Sequence, residues 1–208
     1  MTALTLYGFP QSTYVRTARM ACEEKGVAYT LESADFKGEA YRKLHPFAKV
    51  PALRHGDLVL FETEAIIRYV DEAFPGPALQ PAQAAERARM AQWLSAIGSY
   101  VYPTMIGKIV IERFAPNIFN RATDEAVIKS AVPDLAYQLG VLESALAHSP
   151  WLAGPSLSLA DLLLAPILFY VGMVPEGQKA LPGHKALARW NEAMAARASF
   201  KATVPKLG

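Results

Sequence analysis

A proline-rich segment at residues 73–81 divides the sequence into two halves with different periodicities. Before it, short runs of alternating apolar and polar residues are typical of β-strands, and helical stretches stand between them. After it, every long segment has the period of an α-helix. The sequence therefore predicts an α/β domain over residues 1–76, a linker over 77–84 and an all-α helical-bundle domain over 85–208.

The first half contains strand and helix signals in a recognisable order. Residues 3–7 alternate as a strand does, and a helix is predicted from Ser12 to Lys25, where Gly26 ends it. Residues 29–31 have the composition of a second strand. With a short helix, a hairpin and another helix to follow, the order is a βαβ unit and then a ββα unit.

Residues 46–70 carry most of the functional signals. Two strand-type runs, Pro51–Arg54 and Leu58–Phe61, flank a His-Gly-Asp turn and predict a β-hairpin. The Val50–Pro51 bond at the start of the hairpin is a candidate cis peptide. A cis bond there would turn the Val50 backbone outward, where it could pair with an extended peptide ligand.

Two helix N-termini in the first half are candidate anion sites. Glu62 and Thr63 stand directly before an apolar helical face, and unpaired backbone N–H groups at such an N-terminus can hold a carboxylate. Ser12 begins the first helix just after the first strand. Backbone donors and the helix dipole lower the pKa of a thiol at such a place, although a serine there can also serve only as a helix cap.

The second half contains only helical patterns. A helix is predicted over residues 84–114, with a kink or break at Pro103. Ser158 and Asp161 have the spacing of a capping box, which would start a buried helix reaching Val174. Residues 200–208 are expected to form an exposed tail. A buried apolar stripe is predicted along a further helix at Ile128, Val132, Leu135, Leu139, Leu142 and Leu146.

Composition excludes several classes of protein. With 52% hydrophobic and 19% charged residues in 208, the chain should fold into a proper core. A net charge of +2 gives no reason to expect nucleic acid or an acidic membrane surface as partner. No membrane span and no signal peptide are expected. The single cysteine, Cys22, excludes an internal disulfide and suits the cytoplasm, and the histidines lack metal-ligand spacing.

Four segments resemble the cytosolic glutathione S-transferases. The segments Lys49–Leu53 and Glu62–Ile66 resemble the glutathione-binding core of that family, and Pro10–Arg16 is similar to its serine-type phi and theta members. The segment Trp151–Asp161 resembles the start of the central helix in the C-terminal domain. The resemblance implies a thioredoxin-like domain followed by an all-helical domain, in an enzyme of bacterial-like type.

The resemblance also implies a set of site residues. Ser12 would donate a hydrogen bond to the sulfur of glutathione, which is the co-substrate, and no metal would be needed. The residues implied in glutathione binding are Lys37, Lys49, Val50, Pro51, Glu62 and Thr63. A hydrophobic electrophile would be held between the domains, with Phe9, Tyr14, Tyr102 and Met105 as candidate contacts. The family likeness further implies a homodimer with a detoxifying role.

Several alternatives remain open at this point. Tyr7 or another tyrosine could activate the thiol in place of Ser12. The native reaction could be isomerisation, dehalogenation or ether cleavage on the same fold, although the run Gln11–Thr13 does not match the Ser-Ser-Cys run of the isomerases. The protein could also bind glutathione without catalysing a reaction.

Overall fold

The computed structural model describes residues 3–33, 35 and 38–206. The chain divides into two compact units, one of Met1–Gln80 with Ala195–Gly208 and one of Pro81–Met194. This division differs from the predicted domains at the C-terminus, because residues 195–208 belong with the first unit and not with the helical one. The predicted fold class is confirmed, since an α/β unit with a four-stranded sheet precedes an all-helical unit.

The sheet of the first unit has the strand order β2-β1-β3-β4. The strands are β1 Leu4–Tyr7, β2 Tyr29–Glu32, β3 Ala52–His55 and β4 Leu58–Phe61. Strand β1 is parallel to β2 and antiparallel to β3, which is antiparallel to β4. The predicted hairpin is confirmed, and Gly56 takes a left-handed φ of 61° in its turn.

Helices α1 Thr13–Lys25 and α3 Thr63–Ala73 pack against each other, and the short helix α2 is Glu39–Arg42. Helix α1 has the predicted ends, with Ser12 as N-cap and Gly26 in a left-handed C-cap with φ of 65°. The core of the unit contains fully buried Leu6, Val15, Leu53, Ile66, Ile67 and Val70.

The second unit begins with one continuous helical run. It consists of α4 Ala84–Ala96, π-helical segments at Ile97–Val101 and Pro103–Val110, and α5 Ile111–Phe119. Of the predicted kink or break at Pro103, the break is wrong, because the chain passes the proline in one continuous helical run that widens to π-helical turns. This run of 36 residues is long and apolar enough to cross a membrane. Buried core helices meet the same criterion of length and composition.

Four further helices complete the second unit. They are α6 Glu125–Leu146, α7 Leu159–Val171, α8 Pro175–Ala180 and α9 Lys185–Ala196, whose last two residues lie in the first unit. The predicted stripe along α6 is buried except at Val132, which is 41% exposed, while its neighbour Ala131 is fully buried. Helix α7 starts with the predicted capping box of Ser158 and Asp161, and nearly all its residues are buried.

The C-terminal residues fold back onto the sheet-bearing unit. Helix α10, Ala198–Ala202, packs against α1, and Phe200 and Thr203 are buried. The prediction of an exposed tail from Phe200 is therefore wrong. The reason is that Phe200 and Thr203 contact residues of α1, far away in the sequence, and no local pattern announces such contacts.

Candidate active site

The sheet register brings the end of β1, the start of β3 and the end of β4 together at one end of the sheet, which is called the site edge below. Tyr7, the last residue of β1, pairs with Ala52, and Ala52 pairs with Phe61, the last residue of β4. The cis Val50–Pro51 bond directly precedes β3, as predicted. Helices α1 and α3 both start just after strands that end at the site edge, so their N-termini lie on the same side of the sheet.

The turn between β1 and α1 is closely packed around Gly8. A side chain at Gly8 would place its Cβ 2.4 Å from Cγ2 of Val15 and 3.4 Å from Cβ of Val50. Only glycine allows so close an approach without displacing its neighbours. Val50 therefore lies directly against the turn that leads into Ser12.

Ser12 is half-buried and occupies the N-cap of α1 with extended backbone dihedrals. Its Oγ accepts a hydrogen bond from the N–H of Val15 at 3.4 Å, and its carbonyl accepts one from the N–H of Arg16 at 2.9 Å. A serine hydroxyl that accepts a bond can still donate its own proton. Ser12 can thus cap the helix and donate to an anion at the same time.

The loop before Val50 is held by Tyr41, a residue that the sequence analysis did not single out. Its hydroxyl donates to the carbonyl of Lys49 at 2.5 Å, and the residue is 4% exposed. Burial raises the pKa of Tyr41 to about 12, so the hydroxyl stays a neutral donor near pH 7. An aromatic ring in a short helix that otherwise contains Glu39, Ala40 and Arg42 was the one signal that could have indicated its packing role.

His45 is the second residue of this loop to which the sequence assigned no role, although it stands where the family usually has asparagine before Pro46. The residue is 2% exposed, and its ring lies among the rings of Tyr41, Phe47 and Phe61. Burial lowers the pKa of His45, and the nearby Glu62 carboxylate opposes that shift only in part. The imidazole is therefore neutral at pH 7 and packs as an aromatic ring within the loop.

At the N-terminus of α3, Glu62 has an unusual backbone. Its φ of 70° is left-handed, a region that residues with side chains rarely occupy, and its side chain makes no capping hydrogen bond to the helix. Its carbonyl accepts from the N–H of Ile66 at 3.0 Å. Thr63, the first residue of α3, is only 6% exposed, and its backbone N–H is one of the donors that the start of a helix leaves without an intrahelical partner.

The remaining predicted site residues lie in different surroundings. Lys49 and Phe9 are exposed and Tyr14 and Tyr7 are half-buried in the first unit, whereas Lys37 lies outside the described residues. In the second unit Tyr102 is half-buried, and Met105 is fully buried, so a ligand could contact Met105 only if its neighbours moved.

Cys22 and the potential metal ligands have no evident role at this site. Cys22 is fully buried within α1, and burial raises the pKa of its thiol to about 12, which keeps it unreactive. Among residues 3–33, 35 and 38–206, no group of three or more His, Cys, Asp and Glu side chains could hold a metal ion.

The sequence matches two family models that together cover most of the chain. They are described as "Glutathione S-transferase, N-terminal domain" over residues 6–78 and "Glutathione S-transferase, C-terminal domain" over residues 95–198. The chain belongs to the glutathione S-transferase family. It is accordingly a transferase enzyme, and the family's two domains correspond to the α/β and all-helical parts described above.

Individual glutathione S-transferases are similar to the chain over nearly its whole length. Glutathione S-transferase F9 of Arabidopsis thaliana is 34% identical, over 98% of this chain and 97% of its own. Glutathione transferase F7 of Populus trichocarpa has a TM-score of 0.89 at 27% identity, with 97% of each chain covered. Glutathione S-transferase I from maize, in complex with an atrazine glutathione conjugate, has a TM-score of 0.88 at 25% identity, with 97% and 96% covered.

Proposed function

We propose that this transferase joins the sulfur of glutathione to hydrophobic electrophiles, and that Ser12 stabilises the reacting thiolate. The observation that carries the proposal is the position of Ser12. It caps α1 beside the turn at Gly8, against which Val50 packs, at the site edge, where α3 also begins. The maize enzyme bound to a glutathione conjugate supports the same class of reaction.

The proposed reaction requires an ionised sulfur at the start of α1. The thiol of glutathione releases its proton to solvent, and the thiolate attacks the electrophilic carbon. A carbon–sulfur bond forms, and a leaving group such as chloride departs with its bonding electrons. A free thiol has a pKa of about 8.5, and each unit by which the site lowers it reflects about 1.4 kcal/mol of preference for the thiolate.

Two features of α1 favour the thiolate. The first is the partial positive charge at the helix N-terminus, and the second is the hydroxyl proton of Ser12, which can point at the sulfur. The hydroxyl donates more strongly to an ionised sulfur than to a neutral thiol, so its contribution increases as the proton leaves. Tyr7, which is half-buried at the end of β1, is the alternative donor.

The peptide part of glutathione would bind along the site edge. We propose that the Val50 backbone, next to the cis bond at Pro51, pairs with the extended tripeptide. The N-terminus of α3 at Glu62 and Thr63 would hold one of its carboxylates, and Lys49 or Lys37 the other. Phe9, Tyr14 and Tyr102 stay the candidate contacts of the electrophile, and Met105, which is fully buried, would join them only if its neighbours moved.

Replacing Ser12 with alanine tests the central claim. We expect Ser12→Ala to lower kcat for conjugation of a model aryl halide by at least about tenfold, the loss typical when one preorganised donor is removed. The pKa of the bound glutathione thiol, followed by thiolate absorbance against pH, should rise at the same time.

Two further variants separate catalysis from helix capping. Ser12→Thr keeps both the cap and the donor and should retain most of the activity, whereas Ser12→Asp keeps the cap but places a negative charge beside the thiolate. Equal activity of the parent enzyme and of the alanine, threonine and aspartate variants at Ser12 would mean that another donor, such as Tyr7, stabilises the thiolate. Glutathione binding without thiol consumption across a broad electrophile panel would instead make the protein a binding module.

We further propose that the enzyme is a cytoplasmic homodimer of the serine type. Exposed aromatic rings occur in both units, at Phe47 with 67%, Tyr100 with 67% and Tyr137 with 74% exposure, and such rings are typical of protein interfaces. A single, buried cysteine suits a reducing compartment. The resemblance of the sequence to bacterial members of the family stays a prediction, as does the detoxifying role.

A further inference from the structure

The helix that begins at Ser12 is held along its length by the C-terminal segment of the chain. Residues 195–208 belong to the first unit, and α10 within them packs directly against α1. Contacts occur near both ends of α1, one set close to Ser12 and the other more than two turns further along. These two sets of contacts can be removed separately.

The contact near Ser12 is made by Arg16, whose side chain is fully buried. Its Nη2 donates to the carbonyl of Phe200 at 3.3 Å, its Nε donates to Oγ1 of Thr203 at 3.4 Å, and its guanidinium lies 4.2 Å from the centre of the Phe200 ring. A guanidinium uses its planar face and its fork of donors together in such a site.

Arg16 is also bonded to Ser12 through the backbone. Its N–H donates to the Ser12 carbonyl at 2.9 Å, which closes the first turn of α1. Arg16 thus stabilises the start of α1 with its main chain and binds α10 with its side chain. A displacement of α10 would therefore move Arg16 and, through it, Ser12.

The distal contact lies near the other end of α1. The carboxylate of Glu24 accepts two hydrogen bonds of 2.6 Å from the guanidinium of Arg197 and one from the hydroxyl of Ser199. At a rise of about 1.5 Å per residue, Glu24 lies roughly 18 Å along the helix from Ser12, whereas Arg16 lies only about 6 Å away. The two contacts hold the same pair of helices, but only one of them adjoins the N-terminus.

We infer that α10 is a positioning element for the active site: by gripping Arg16 it holds the first turn of α1, and with it the Ser12 hydroxyl, in place for the glutathione sulfur. This inference rests on the proposed role of Ser12. Neither Arg16 nor Thr203 needs to touch the substrate, so both are positioning residues. A displacement of about 1 Å at a donor is enough to weaken a preorganised interaction strongly.

Thr203→Val in the full-length chain is the decisive variant. Valine has nearly the shape of threonine but lacks its hydroxyl, which accepts from Arg16 and donates within α10 to the carbonyls of Ser199 at 2.8 Å and Phe200 at 3.1 Å. We expect the pKa of the bound glutathione thiol to rise by about half a unit and kcat to fall roughly three- to tenfold, while the KM for glutathione stays within about twofold. Thr203→Ser restores the hydroxyl and should restore both values.

Glu24→Gln is the matched control. It weakens the distal contact of the same interface and should lower the melting temperature without changing the thiol pKa. If both variants shift the thiol pKa equally, or neither does, α10 has only a general stabilising role and the inference is overturned. Arg16→Lys, which keeps the charge but loses the stacked fork, provides a second route if Thr203→Val folds poorly.

A double variant separates this inference from the proposed function. If α10 acts through the hydroxyl, Thr203→Val should have no further effect on the thiol pKa when Ser12 is already alanine. Should Ser12→Ala leave the thiol pKa of the parent enzyme unchanged, the proposed role of Ser12 and this inference both fail. Should Ser12→Ala raise it while Thr203→Val does not, only the inference about α10 fails.

Discussion

At the scale of single residues, Asp161 shows how one buried carboxylate organises the second unit. It is fully buried and accepts four hydrogen bonds: from the N–H groups of Leu152 at 3.0 Å and Ser158 at 2.9 Å, from Oγ of Ser158 at 2.7 Å and from Nε1 of Trp190 at 2.8 Å. The capping box at the start of α7 is therefore also the anchor of a loop and of α9.

We expect Asp161→Ala to lower the free energy of unfolding by about 3 to 5 kcal/mol, because it leaves several buried donors without an acceptor. Asp161→Asn keeps an acceptor oxygen and should cost less. Urea denaturation at pH 7 measures both values. A loss below about 1 kcal/mol for the alanine variant would mean that the local capping role alone describes this residue.

At the scale of elements, α9 is capped by a residue of another helix. Glu143 of α6 accepts from the N–H groups of Ala186 at 3.0 Å and Leu187 at 2.8 Å, at the start of α9. Burial alone would raise the pKa of Glu143, but these two backbone bonds and the nearby His184 and Arg189 together outweigh burial and hold the pKa below its ordinary value. The charged form is therefore the one that stabilises the junction.

The pH dependence of this junction follows from the sign of the shift. A carboxyl whose pKa is lower in the folded state stabilises the fold above its unfolded pKa of about 4.3, and the contribution is lost as the pH falls through the folded pKa. We expect Glu143→Gln to cost about 1 kcal/mol at pH 7 and much less in strong acid. Urea denaturation of both proteins at several pH values tests this, and a difference independent of pH would contradict it.

At the scale of the whole molecule, the proposed homodimer can be tested directly. Sedimentation equilibrium should give twice the mass of the 22.7 kDa chain. Phe47→Ser and Tyr137→Ser, which remove exposed rings, should each weaken the dimer by at least roughly tenfold in Kd. Ile118→Ser, at another exposed apolar residue, controls for general effects of surface polarity. A monomeric parent protein at micromolar concentration would exclude the dimer.

The sequence by itself determined the fold class, the hairpin, the ends of α1 and the capping box of α7. These features depend on residues a few positions apart. Alternation indicates a strand, Gly56 and Gly26 supply left-handed turns, and Ser12 and Ser158 supply caps. The order of the motifs was also enough to predict the family, which the family models then confirmed.

Only the tertiary structure decided which distant residues meet. Arg16 and Phe200 are 184 positions apart, and Asp161 and Trp190 are 29 apart, so no local spacing predicts either contact. The left-handed backbone of Glu62 was equally hidden, because an ordinary glutamate does not signal positive φ. The physical reason is common to these cases. The local pattern of residues determines an element and its ends, whereas the contacts between elements depend on packing that exists only in the folded chain.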